Sequence, residues 1–405
     1  MKILIVDVNY GHSSTGKIVK DLQAGIVSNG SSALICYGRG AISDDPHAVR
    51  VASPLEVYSH VALSRVTGRT GGFSPFSTRK VIELIDRYAP DVVHLHELHG
   101  YYLNISEIVQ YLKDREIPTV WTFHCEFMYT GKCGYAYECE QWKTECVSCP
   151  QVREYPASWL LDRTNVMFHE KMKLLADFKN LQIITPSSWL ADRVRQSFLG
   201  DKRIDVIYNG IDTASTFVRR PAIELREQHD IKTRHVIVSI APDLMSDRKG
   251  GKWVLEIAKR LANQDITFVM VGVEKPNEIS MPNVVALPRV GDQNLLARYY
   301  SLGDFFLLTS RKETFSLVCA ESLACGTPII GFDSGAPTEV APPGYGSFVE
   351  YGDLDALCSS LLAGLENREA FRSSEECTTY AVRNFGKDAM VAAYLETYYE
   401  ACRAG

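Results

Sequence analysis

Two carboxylates and two cations in the C-terminal half of the sequence have the types and spacing of a site for an anionic ligand. Glu313 and Glu321 stand eight positions apart in Ser310-Arg-Lys-Glu313-Thr-Phe-Ser316-Leu317-Val318-Cys-Ala-Glu321-Ser-Leu-Ala-Cys-Gly326-Thr-Pro328. An apolar run, 304–308, precedes them. A helix starting near Ser316 puts Glu321 inside its first turns. Glu313 is then left in the loop at the strand's carboxyl end, where open α/β sheets bind ligands. The amides of Ser316, Leu317 and Val318 form a helix N-terminus aimed at an anion. Gly326-Thr-Pro328 closes the helix and opens the next strand. Arg248-Lys249-Gly250-Gly251 follows the β-rich run 236–240. A guanidinium and an ammonium there can stabilise negative charge developing on a phosphate. In the N-terminal half, Thr122-Phe-His124 also follows a β-rich run, 119–122.

The elements that must position these groups alternate. Short β-rich runs at 3–8, 32–37, 92–95, 119–122 and 182–185 are separated by stretches of helical spacing such as 17–29 and 104–114. A second series runs through 205–208, 236–240, 267–271, 304–308 and 327–331, with helical stretches at 251–263 and 314–324. Alternation of this kind implies parallel sheets covered on both faces. Two doubly wound α/β domains in tandem are expected, joined near 186–212. The assignment is an N-terminal domain over 1–190 and a C-terminal domain over 191–385. The aromatic-rich last helix, about 386–405, crosses back onto the first domain.

Composition bounds the partners. The 405 residues carry 43 Lys and Arg against 49 Asp and Glu, a net charge of −6, with 46% hydrophobic and 23% charged residues. This is globular composition. The acidic balance argues against a nucleic-acid partner held by phosphate neutralisation. No run of about 18 apolar residues exists to span a membrane. The apolar start Met1–Val8 is too short for a signal-peptide core, so a cytoplasmic location is expected. Between Val57 and Ile82 lie Arg65, Arg69, Arg79 and Lys80, no acidic residue, and interleaved Phe73, Pro75 and Phe76. That stretch reads either as a solvated helix and loop or as a surface for an anionic acceptor or lipid headgroups.

Other motifs fail. Gly11-His-Ser-Ser-Thr-Gly16-Lys17 has P-loop spacing, but Ile18 stands where a Ser or Thr must hold magnesium. Its Gly-rich turn can still offer backbone N–H groups to a phosphate. Gly38-Arg-Gly40 lacks the third glycine of a dinucleotide fingerprint. Four of the 11 cysteines, Cys133, Cys139, Cys146 and Cys149, fall within 17 residues, and only the last pair has C-x2-C spacing. Four thiolates suit a closed tetrahedral structural zinc site. Disulfides and plain thiols packed in a loop are the alternatives.

The Glu313-to-Glu321 string resembles that of the GT-B nucleotide-sugar glycosyltransferases of family 4. Val206-Ile-Tyr-Asn209-Gly210-Ile-Asp212, Arg248-Lys249 and His124 match the family in the same order. His94-x-His96-x-x-His99, Trp121-Thr-Phe-His124, Tyr129-Thr-Gly131-x-Cys133 and Trp142-Lys-Thr-x-Cys146-x-x-Cys149-Pro150 are similar to a bacterial subgroup of colanic-acid type that builds exopolysaccharide and O-antigen. The resemblance implies two facing Rossmann-like domains with the active site in the cleft. It implies that Glu313 contacts the transferred sugar, that Glu321 holds the ribose, and that the amides of Ser316–Val318 with Arg248 and Lys249 bind the diphosphate. His124 then faces the sugar. Of the family's N-terminal Gly-Gly loop only Gly16 carries over, from Ser14-Thr15-Gly16. The implied activity is retaining transfer from a UDP- or GDP-sugar to a saccharide acceptor, expected to be lipid-linked, with no catalytic metal or other cofactor. Any membrane contact is peripheral, through 57–82, at the inner face of the cytoplasmic membrane. The rival readings are a hydrolysing epimerase, a P-loop-like phosphotransferase and a non-catalytic nucleotide-binding protein.

Overall fold

The computed structural model describes residues 1–404. The chain forms two compact units. One takes Met1–Tyr208 together with the chain from Met390 onward, and the other takes Asn209–Ala389.

In the first unit seven strands form one sheet: β1 (Lys2–Asp7), β2 (Ser32–Tyr37), β3 (Ala48–Arg50), β4 (Val92–Leu95), β5 (Thr119–Thr122), β6 (Leu181–Thr185) and β7 (Arg203–Val206). Their order is β3-β2-β1-β4-β5-β6-β7 and every pairing is parallel. Four of these strands, β4, β5, β6 and all of β1 beyond Lys2, are fully buried. Such near-continuous apolar runs are what a parallel sheet with helices on both faces requires. The second unit holds β8 (His235–Ile240), β9 (Ile266–Val271), β10 (Val284–Leu287), β11 (Phe305–Leu308), β12 (Ile329–Phe332) and β13 (Gly346–Val349). Their order is β10-β9-β8-β11-β12-β13, again parallel. In both sheets the strand order reverses once, between β1 and β4 and between β8 and β11. Loops leaving those carboxyl ends diverge and open a crevice for ligand.

The expected boundary needs correction. The run 205–208 was assigned to the second domain, but Arg203–Val206 pairs with β6 from Gln182↔Arg203 to Thr185↔Val206 and forms the edge of the first sheet. The division therefore falls at Tyr208/Asn209 rather than after residue 190. Alternation reveals a strand but not which neighbour it hydrogen-bonds. The short edge strands β3, β10 and β13 are only partly buried; β3 (Ala-Val-Arg) and β13 (Gly-Ser-Phe-Val) lack the apolar continuity that marks central strands, and β10 (Val-Val-Ala-Leu) is apolar but only four residues long.

The last helix, Lys387–Ala404, joins the first unit's core. Met390, Tyr394, Leu395 and Tyr398 pack with Ile3, Ile5, Val19 and Leu22. Gly25 on the helix Ser13–Ser28 makes that approach feasible: a Cβ there would lie 2.3 Å from Val391 Cγ1. Tyr394 Oη lies 2.9 Å from Thr122 Oγ1, and Tyr398 Oη 2.7 Å from His94 Nδ1. Tyr398 is fully buried whereas its neighbour Tyr399 is 45% exposed. In urea denaturation, Tyr398→Ala should lower stability by about 3–5 kcal/mol, as for other large buried aromatics. Tyr399→Ala should stay within about 0.5 kcal/mol of wild type.

Candidate active site

In the second unit the two loops at the switch point interlock. The loop after β8 carries Arg248 and Lys249, and the loop after β11 carries Glu313. Arg311 N donates to Arg248 O at 2.8 Å, and Thr309 Oγ1 to Lys249 O at 3.0 Å. Between them Gly250 sits at φ 72°, where a Cβ would come within 2.3 Å of Thr309 O. A left-handed backbone and an abutting carbonyl both demand glycine. The outcome is an ion pair: Lys249 Nζ lies 2.5 Å from Glu313 Oε1, and Arg248 Nη1 is 3.7 Å from the same oxygen. The Glu313 backbone is held on both sides, its N–H donating to Ser334 O at 2.9 Å and its C=O accepting from Ala336 N at 3.2 Å. Burial pushes the Glu313 carboxyl up, but Lys249 and Arg248 outweigh it and hold the group below its ordinary range. Burial pulls Lys249 down against the opposing pull of Glu313.

The helix Leu317–Ala324 follows with Ser316 at its N-cap, in agreement with a start near Ser316, although the helical stretch 314–324 reaches three residues further back. Ser316 precedes it at φ 80°, ψ 78°, a left-handed conformation in which a non-glycine residue is strained. Its hydroxyl is taken by Cys319 Sγ at 3.2 Å and makes no cap bond, leaving the first-turn N–H groups without a side-chain cap. In the next turn Glu321 Oε2 accepts from Tyr300 Oη at 2.7 Å. Tyr300 is in turn located by Thr327 Oγ1, which donates to its carbonyl at 2.7 Å. Asp353 and Asp355 are structural: the first caps the helix Leu354–Glu366 and the second pairs with Arg260.

In the first unit, Gly16 lies in the first turn of the helix Ser13–Ser28, where a Cβ would lie 3.0 Å from the Asn9 carbonyl carbon. Its N–H faces Ser13 Oγ at 3.4 Å. His124 follows β5 and is buried. His124 Nε2 lies 2.9 Å from His96 Nδ1 with the rings stacked, and His96 packs on His94, ring centroids 4.0 Å apart. His94 bonds Thr122 and Tyr398. Burial lowers His94 and His96 well below the usual imidazole range and holds His124 near about 4. These rings are neutral at pH 7. Asp7, at the end of β1, went unremarked in the sequence, although a lone carboxylate closing an apolar strand was visible there. Its Oδ1 accepts from Glu97 N at 3.2 Å. Burial raises Asp7 to about 6, and burial with the nearby Asp7 raises Glu97 to about 8. Glu97, His99 and Cys125 place three ligand-type atoms within 4.8 Å of one another, and Glu97 Oε2 lies 3.1 Å from His99 Nε2.

Cys133, Cys139, Cys146 and Cys149 are all free thiols facing one small cavity. A hydrogen bond from Cys133 holds Cys149 at about 6. The basic stretch forms the helices Pro54–Thr67 and Pro75–Tyr88. Glu170, distant in sequence, pairs with Arg69 at 2.7 Å, and Arg65 stacks over Trp159. The charge there is therefore smaller than the local sequence implies.

Residues 19–215 match the family model described as Glycosyltransferase Family 4, and residues 234–367 the model described as Glycosyl transferases group 1. The chain belongs to the family 4 glycosyltransferases. It is 28% identical to a candidate colanic acid biosynthesis glycosyl transferase, WcaC, of Escherichia coli over 357 residues, 84% of this chain and 85% of that protein. Among solved structures it resembles sucrose-phosphate synthase of Thermosynechococcus elongatus (TM-score 0.73, 16% identity, 100% of both chains). It also resembles Anabaena HepE in complex with UDP (TM-score 0.68, 17% identity, 99% of this chain and 100% of that one). The fold is GT-B, with two Rossmann-like domains.

Glu97 gives this glycosyltransferase a measurable pH dependence. A carboxyl raised to about 8 in the folded chain adds stability below its unfolded value near 4.5, and that stability is lost as pH rises through 8. Glu97→Gln removes the titration. The variant should gain on wild type between pH 5 and pH 9 by up to about 4 kcal/mol in chemical denaturation.

Proposed function

We propose that this glycosyltransferase moves a sugar, with retention of anomeric configuration, from a UDP- or GDP-sugar to a saccharide acceptor. The acceptor is lipid-linked and the product a bacterial surface polysaccharide: O-antigen, capsule or exopolysaccharide. The observation that carries the reading is the Lys249–Glu313 pair with Arg248 beside it, at the switch point of the second sheet.

That pair is already the resting form of a diphosphate site. As donor enters, Lys249 and Arg248 share their charge with the diphosphate, and the N–H groups at Ser316, Leu317 and Val318 add a helix terminus. Glu313 then has an oxygen to spare for the hydroxyls of the transferred sugar. Glu321, oriented by Tyr300, takes the ribose hydroxyls. The bond from the anomeric carbon to the phosphate oxygen breaks, and the acceptor oxygen bonds that carbon on the same face. The acceptor's proton passes to the departing phosphate. His124 is neutral and positions the sugar, and Gly16 contributes a backbone contact. Because Arg248, Lys249 and the amides stabilise the leaving group, the reaction needs no divalent cation. UDP and UDP-glucose complexes of HepE support the donor class, and the name of WcaC supports the polysaccharide context. Membrane contact is peripheral, from the cytoplasmic side, through the stretch 57–82, which carries the exposed Tyr58 and Phe76 along with its basic residues.

A thermal-shift panel of UDP, GDP, ADP, CMP and dTDP tests the site. One diphosphate should raise Tm equally with magnesium or with EDTA, and Lys249→Ala and Glu321→Ala should abolish the shift. With the matching donor, Lys249→Ala should lower kcat/KM by about 10²–10³-fold. A product of inverted anomeric configuration by NMR refutes retention, and a requirement for magnesium refutes metal independence. For the membrane contact, wild type should sediment with anionic vesicles at low salt and Phe76→Ala should stay in solution.

A further inference from the structure

Residues 123–163 contain only one short helical turn, Gln141–Lys143, yet many of their side chains are buried. A connection this long without regular structure needs another source of order. Two buried ammonium groups supply part of it. Lys171 Nζ donates to the carbonyls of Phe127, Thr130 and Gly131 at 2.5, 3.1 and 3.2 Å. Lys132 Nζ donates to those of Val152, Glu154 and Pro156 at 2.6, 3.2 and 2.5 Å. Carbonyl oxygens satisfy the N–H donors but do not neutralise the charge. Lys132 immediately precedes Cys133 in the chain, and Gly131, whose carbonyl accepts from Lys171, donates its own N–H to Cys146 Sγ. Buried cations thus sit beside a cysteine cluster that could supply the balancing negative charge.

The four cysteines have the ligand chemistry for that role, although no three of their sulfurs lie within 4.8 Å of one another. Cys133, Cys139, Cys146 and Cys149 line one small cavity together with Trp142 and Thr164. Two of the sulfurs already receive backbone N–H groups, Cys146 Sγ from Gly131 at 3.3 Å and Cys149 from Gln151. Bonds of this type orient a thiolate and offset its charge in a metal site. We propose that Cys133, Cys139, Cys146 and Cys149 bind one structural zinc ion as a closed tetrathiolate whose two net negative charges are balanced by Lys132 and Lys171. Four sulfurs at about 2.3 Å from zinc stand about 3.8 Å apart. Among the described residues the trio already within 4.8 Å is Glu97, His99 and Cys125, so loading draws the cysteine loop inward. Binding releases the remaining thiol protons and couples metal affinity to the order of 123–163.

The test is metal analysis of the full-length protein purified with a reductant and no chelator. We expect close to one zinc per chain, released by a mercurial thiol reagent. We expect cobalt substitution to give a thiolate-to-cobalt charge-transfer band, and Cys146→Ser and Cys149→Ser to lose both zinc and several degrees of Tm. Cys36→Ser and Cys125→Ser should keep the zinc. Should the cysteine variants fail to fold, stripping wild type with a chelator must lower Tm, and zinc must restore it. Any of three results overturns the proposal: no zinc together with no cobalt band on reconstitution; zinc retained in Cys149→Ser but lost in Cys125→Ser, which assigns the metal to the Glu97 trio; or a disulfide within the cluster found by mass mapping of the reduced-purified chain.

Discussion

The second unit depends on one constraint, the burial of Lys249 against Glu313. Two ions leave water there, and only close geometry with further bonds offsets the desolvation. The loops after β8 and β11 are therefore tied to each other through Arg311 and Thr309, and the backbone of Glu313 is tied to the loop after β12, before any ligand arrives. Gly250 is a consequence of the same closeness, and Gly272 of the approach of the chain after β9 to that after β8. A Cβ on Gly272, at φ 98°, would fall 1.7 Å from Ala241 O. The left-handed Ser316 then turns the chain into the helix that carries Glu321. Positive charge is thus fixed at the switch point before any ligand arrives, so an anion bound there would meet a preorganised site.

The first unit solves the opposite problem. Its switch point holds carboxyl and imidazole groups in a buried setting with few opposing charges, and each is shifted toward its neutral form. Asp7 and Glu97 move up and the histidines move down, each chiefly through burial. Neutral donors and acceptors suit a polyol more than an anion. The terminal helix is part of this arrangement, because Tyr398 and Tyr394 bond the side chains of His94 and Thr122 on neighbouring strands. A chain end therefore helps set the ring stack that reaches His124.

Alternation of apolar strands with helices made the two-sheet architecture readable, since a strand buried on both faces must be a nearly unbroken apolar run. The carboxylate pair, the Arg248-Lys249 pair and the glycines around them were readable for a related reason: left-handed turns and close backbone contacts admit few residue types. The edge strands β3, β10 and β13 were not readable, because they are three or four residues long and only partly buried. Nor was the sheet to which β7 belongs, since pairing is a choice of neighbour.

Thus the sequence by itself determined the fold class, the family and the chemical types gathered at the candidate site, because spacing along a chain constrains local geometry. Only the tertiary structure decided which charges meet. It paired Lys249 with Glu313 across 64 positions, Glu170 with Arg69 across 101, and Tyr398 with His94 across 304. It also decided which ionisable groups lose their water and so change their protonation. Burial is a property of packing from all sides, and a linear sequence does not state it.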